Sequence, residues 1–153
     1  MIDQSAGSGE SAAEPEPSID ESRHLLNREL SWLRFNLRVL EEAEDKRHPL
    51  LERVKFLAIF ATNLDEFFMI RVSGLHRQVA GGVVGTTPDG MTPSEQILAI
   101  NRELMVHSER YDMCWKQDVL PGLAEAGIRI LHYVELGQRE REAIQGYFQR
   151  EIF

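Results

Sequence analysis

Among the side chains whose type and spacing bear on chemistry, the amide of Asn63 stands apart. A carboxamide carries one acceptor and two donors, a set that matches the N6/N7 edge of adenine. Asn63 also opens the run Asn63-Leu64-Asp65-Glu66, which reads as a helix cap with an acid at the third helical position. The residues by themselves favour the cap. Other candidates resolve to plainer roles. The histidines His24, His48, His76, His107 and His132 never fall three or four apart, and Cys114 has no sulfur neighbour, so no metal site is indicated. No nucleophile or orienting carboxylate lies at a recognisable offset from any of these histidines. Asp65 and Glu66 point about 100° apart on a helix and read as first-turn acids at its positive end. Residues 81–90 hold four glycines and Pro88 but no lysine, so they form a connector and not a phosphate-binding P-loop. Arg28, Arg38, Arg53, Lys55 and Arg71 are interleaved with apolar positions and read as solvated rims or ion pairs of small value.

The elements that must position Asn63 are helical. Trp32, Phe35, Val39, Leu40 and Ala43 recur at three- and four-residue steps, with Ser31 as the expected cap. Asp45 to Pro49 reads as a turn, with Pro49 at the start of a second helix. Glu42 and Lys46 form an i,i+4 pair. Leu50, Val54, Leu57, Ala58, Ala61, Leu64, Phe68, Val72 and Leu75 hold a helical period, so 50–79 is one kinked helix or two helices meeting at Asn63. Thr92-Pro93-Ser94-Glu95 is a capping box with proline at the first helical position. Ile97, Ile100, Leu104, Tyr111, Trp115, Val119 and Leu123 continue that helix, which Pro121 should kink or end. Gly127 closes the segment. Ile128-Arg129-Ile130-Leu131 alternates like a short strand, and 138–153 returns to helix. The expected fold is mainly α, a small helical bundle.

Composition sets the surroundings. The chain has 153 residues, one cysteine and a net charge of −8. Six of those negative charges lie in 1–22 (Asp3, Glu10, Glu14, Glu16, Asp20, Glu21), which has no Lys or Arg and few large aliphatics. That stretch reads as a disordered acidic tail. The remainder is near neutral. The acidic balance argues against binding nucleic acid or anionic membrane. A lone cysteine fits a reducing compartment, and no basic residue precedes Arg23, so no secretory or transit signal is read. The longest apolar run, 56–61, is far short of the roughly 20 residues of a membrane span. The expectation is a cytoplasmic, soluble protein. The chain stops at Phe153 with an apolar face still running, and a lone strand at 128–131 has no pairing partner. Both suggest a protein that continues.

Many residue types in fixed order then point to a family. Arg28-Glu29-Leu30-Ser31-Trp32-Leu33, Phe35-Asn36, Arg38-Val39-Leu40, Pro49-Leu50-Leu51-Glu52-Arg53, Lys55-Phe56-Leu57, Asn63-Leu64-Asp65-Glu66-Phe67-Phe68, Arg71-Val72 and Gly74-Leu75 resemble the N-terminal domain of bacterial polyphosphate kinases of the long multidomain type. Tyr147-Phe148 to Ile152-Phe153 resembles the opening of that family's head domain.

Beyond the acidic tail at 1–22, an extension outside the family core, the resemblance implies a helical domain at 23–126 and the start of the head domain at 127–153. It implies an ATP:polyphosphate phosphotransferase, reversible and Mg²⁺-dependent, working through a phosphohistidine that lies outside this chain. Asn63 is the position that contacts ATP in the family. A cap would use its oxygen and leave the amide nitrogen for the ligand. Partners implied are ATP, polyphosphate, the remaining domains and further copies of the chain. These residues supply no charge clamp for phosphoryl transfer, so the fragment is expected to be inactive alone and to bind no Mg²⁺ itself. The rival reading is a non-enzymatic helical module that docks a partner protein.

Overall fold

The computed structural model describes residues 26–152, so the expected acidic tail at 1–22 lies outside the described residues. Every regular element among them is helical. These are α1 (Arg28–Glu44), α2 (Leu50–Phe67), α3 (Ser73–Ala80), α4 (Pro93–Met113), α5 (Leu120–Glu125) and α6 (Gln138–Glu151), with a 3-10 turn at Tyr133–Glu135. Two π-helical turns, Phe68–Val72 and Cys114–Val119, carry α2 into α3 and α4 into α5.

Polar contacts fix how the long helices pair. Asn36 meets Phe60, Ala43 meets Arg53 and Glu29 meets Arg71, so α1 and α2 run antiparallel. Arg34 reaches Glu103 and Glu44 reaches Arg110, so α1 and α4 run parallel. The core forms two clusters. One holds Leu40, Ala43, Leu57, Phe60, Cys114, Val119 and Leu123. The other holds Leu33, Phe67, Val72, Leu75, Ile100 and Leu104, and Leu64 packs against both.

Side chains close the helix ends. Asn27, not the expected Ser31, caps α1: its Oδ1 accepts from the backbone N–H of Glu29 and Leu30 at 2.9 and 3.1 Å. The Thr92 capping box forms as expected, with Pro93 inside the first turn. Glu42 pairs with His48 instead of Lys46, which reaches Asp118, while Lys116 does bind Asp112. At the end of α5, Gly127 adopts φ +83° and the N–H of Ile128 donates to the carbonyl of Leu123. This is the six-to-one closure of a helix C-terminus.

That closure bears on the short strand expected at 128–131. The backbone there has no regular structure. Ile128 donates into the helix end, and no other strand exists among the described residues to receive a ladder.

The π turns answer two problems in the sequence. Each links buried residues five apart, Phe67 to Val72 and Cys114 to Val119. On a plain α-helix that spacing would turn the second residue well off the core face; a five-residue turn restores it. In the first turn the Ser73 N–H bonds the Phe68 carbonyl, and the Ser73 hydroxyl donates to the Met69 carbonyl that an α-helix would have used. In the second, the widened turn precedes Pro121, whose ring would otherwise press on the carbonyl four residues back. The expected break at Pro121 is thus a local widening, and the chain stays helical to Glu125. No helix among the described residues is long and apolar enough to cross a membrane.

Candidate functional site

Asn63 lies inside α2, four residues from its end, and caps nothing. The junction expected at Asn63 sits further on, at the π turn. The reason is packing: Phe60, Leu64 and Phe67 all reach the core, so α2 must run unbroken past Asn63.

The Asn63 amide is held by a second amide. Its Nδ2 donates to Asn36 Oδ1 at 2.8 Å, and Asn36 Nδ2 donates to the backbone carbonyl of Phe60 at 3.1 Å. Asn36 is 0 % exposed and lies on the buried face of α1 with Leu33, Leu40 and Ala43. The oxygen is therefore not spent on a cap. One N–H of Nδ2 is engaged inward, and Oδ1 accepts from no group among the described residues.

Asn63 opens onto a cleft of about 220 Å³ between α1 and the α2–π-turn edge. Trp32 and Phe35 come from α1, and Glu66, Phe67, Ile70 and Arg71 from the facing edge. The Trp32 and Phe67 rings stack at 4.5 Å with 10° between their planes. Phe35 and Ile70 are 60 % and 61 % exposed, so the cleft is open to solvent, with aromatic and aliphatic groups beside the charged Glu66 and Arg71. Arg71 is steered by Glu29, with Nη1 3.3 Å from its carboxylate. The π turn is what brings Ile70 and Arg71 round to this side. A cleft with aromatic groups on one side and acceptors from Asn63 and Glu66 suits a flat ring that carries a donor.

Other candidates are dispersed. Glu66 lines this cleft, whereas Asp65 lines a separate groove with Phe60, Leu64, Phe68, Tyr111 and Asp112. His48 bonds Glu42 at the surface and His107 is buried, while His24 lies outside the described residues. Arg53 is buried and bonds the Ala43 carbonyl and Asp118, contrary to the expectation of a solvated rim. Burial pushes the Cys114 thiol above its ordinary pKa. Among the described residues no three His, Cys, Asp or Glu side chains come together to hold a metal ion. Of the stripe expected on α1, Leu40 and Ala43 are buried and Trp32 and Val39 pack at the core's edge, while Phe35 is exposed; Leu33 and Asn36 are the buried positions that the periodicity left out. A polar residue at the centre of an apolar stripe was the available signal.

The geometry can be set beside known proteins. The family described as "Polyphosphate kinase N-terminal domain" matches residues 25–131. Polyphosphate kinase 1 of Chlorobaculum tepidum is 49 % identical over 129 residues, covering 84 % of this chain and 18 % of that protein. A polyphosphate kinase of Prosthecochloris aestuarii is 46 % identical over 154 residues, covering 100 % of this chain and 22 % of that one. The crystal structure of polyphosphate kinase from Porphyromonas gingivalis superposes with a TM-score of 0.64 at 31 % identity, over 84 % of this chain and 18 % of that chain. The chain spans about a fifth of the length of the curated relatives it matches. Helical architecture, residue order and the extent of the match agree, and the chain belongs to the polyphosphate kinase N-terminal domain family.

Proposed function

We propose that this chain is the N-terminal part of an ATP:polyphosphate phosphotransferase and supplies a contact to the adenine of ATP through Asn63. The observation that carries this is the cleft itself: Asn63, whose Oδ1 accepts from no group among the described residues, beside Trp32 and Phe35, with Glu66 and Arg71 on the same cleft, in a chain of this family. Adenine offers a flat ring for Trp32 and Phe35 and an exocyclic amine for the oxygen. The transfer of the terminal phosphate, its histidine intermediate and the Mg²⁺ that shields phosphate charge belong to other parts of the protein. Residues 23–126 form the helical domain in this reading, and 127–153 open the next; no residue of α6 is buried. Polyphosphate as second substrate, assembly into homo-oligomers and a cytoplasmic setting belong to the same proposal.

The test is nucleotide binding by the full-length protein. Asn63→Ala should weaken ATP roughly three- to tenfold, the size of one hydrogen bond, with folding unchanged by circular dichroism. Equal ATP affinity in the two proteins would remove Asn63 from the site.

A further inference from the structure

We infer that Asn36 is a positioning residue that sets which atom of Asn63 faces the nucleotide, and so makes the cleft choose a 6-amino purine over a 6-oxo purine. This rests on the nucleotide reading above and extends it to base selection.

The argument is one of hydrogen-bond polarity. A backbone carbonyl only accepts, so the group that Asn36 presents to Phe60 has to be its NH₂. The other end of the Asn36 amide, at 2.8 Å from Asn63, is then the oxygen. An oxygen there accepts from a donor, and the only donor on Asn63's side chain is Nδ2. Each step leaves one choice, and the chain of choices begins at a helix carbonyl that cannot reverse. Asn63 therefore commits one N–H of Nδ2 to Asn36 and keeps Oδ1, which accepts from no group among the described residues, for the cleft. Rotating the Asn63 amide by half a turn would set two oxygens 2.8 Å apart, one of them on a residue with no exposed surface.

A fixed acceptor discriminates at position 6 of a purine. The amine of adenine donates to it; the oxo group of hypoxanthine or guanine brings a second acceptor against it. Hypoxanthine isolates the effect best, because it adds no 2-amino group.

The test uses the full-length protein with ATP, ITP and purine riboside triphosphate, which has hydrogen at position 6. The wild-type protein should bind ATP best and ITP worst. Equal binding of ATP and ITP by the wild type would overturn the inference without any variant. Asn36→Leu removes the polarity lock and leaves Asn63 free to turn its NH₂ outward. The ATP-to-ITP affinity ratio should then fall by roughly three- to tenfold, with ITP holding or gaining affinity. Replacing Asn63 with aspartate in that background restores an acceptor-only group, and the ratio should recover. A purely structural Asn36 would instead lower both affinities together and leave the ratio fixed, which refutes the inference. Should the Asn36→Leu protein fail to fold, side-chain ¹⁵N resonances of the wild type decide: both asparagine NH₂ groups should be protected from solvent exchange, and a freely exchanging Asn63 NH₂ would overturn it. Failure of the adenine reading shows separately, as unchanged ATP affinity in Asn63→Ala.

Discussion

Arg53 Nη2 donates to Asp118 Oδ2 at 2.7 Å, with the guanidinium buried and the carboxylate at the rim. The same side chain sends Nε to the Ala43 carbonyl at 2.7 Å, in the last turn of α1 where no helical N–H is available. One arginine thus closes α1 and ties it to the second π turn. Arg53→Ala should cost about 3–5 kcal/mol, because a buried ion pair and a helix end are lost together. Asp118→Ala should cost about 3 kcal/mol or more, because it leaves the buried Arg53 guanidinium without its counter-charge. Urea unfolding checks both, and a cost near zero for Asp118→Ala would contradict this account. Arg53 holds the Asp118 carboxyl below its ordinary pKa, so this contribution is present at neutral pH and fades as acid protonates Asp118.

His107 gives the fold a second pH dependence, at higher pH. It is 4 % exposed and its Nδ1 has no hydrogen-bond partner among the described residues. Burial lowers its pKa from 6.5; Glu103 acts to raise it, and Arg110 to lower it further. The folded state therefore binds fewer protons than the unfolded chain, and stability falls as pH drops below 6.5 towards the folded value. His107→Leu should abolish this slope between pH 7 and 5.5 and be neutral or stabilising at pH 5.5. Thermal unfolding across that range is the measurement, and an unchanged slope would place the proton uptake elsewhere.

Asn27 joins two parts of the chain. Its oxygen caps α1, while its Nδ2 donates to Asp89 at 3.1 Å and to Gln96 at 3.4 Å, in the connector before α4 and the first turn of α4. Asn27→Ala should cost about 2 kcal/mol, and Asn27→Ser, which still caps, about half of that. Hydrogen exchange near Asp89 should quicken in both variants, since neither reaches across. Slow exchange in the serine variant would show that the cap alone mattered.

Much of this was legible beforehand. The capping box at Thr92, the glycine stop at Gly127 and the helical character of 50–79 follow from local rules that tertiary packing did not override. Asn63 was read as a cap at a helix junction, and neither its place inside α2 nor its surroundings were legible. Its partner Asn36 is 27 residues away, and a pairing across two helices leaves no mark on either local pattern. Leu40 and Ala43 were read correctly on the buried face of α1, but Asn36 was not, because a buried amide does not count in an apolar periodicity. Phe60 and Phe67 were read as widening the apolar stripe and are buried, while Phe68 and Ile70 of the same reading are exposed, because the stripe shifts at a turn of unusual width.

That width has a consequence for how the chain tolerates change in length. A π turn is an α-helical turn carrying one additional residue. Removing one residue between Phe67 and Val72, or between Cys114 and Val119, would bring the flanking buried pair from five to four apart and leave both on the same side of an ordinary helix. The same deletion elsewhere in α2 or α4 would swing everything beyond it by about 100° and empty half the core. Natural variants and loop-grafting designs that shorten this domain by one residue should find their seams at these two turns.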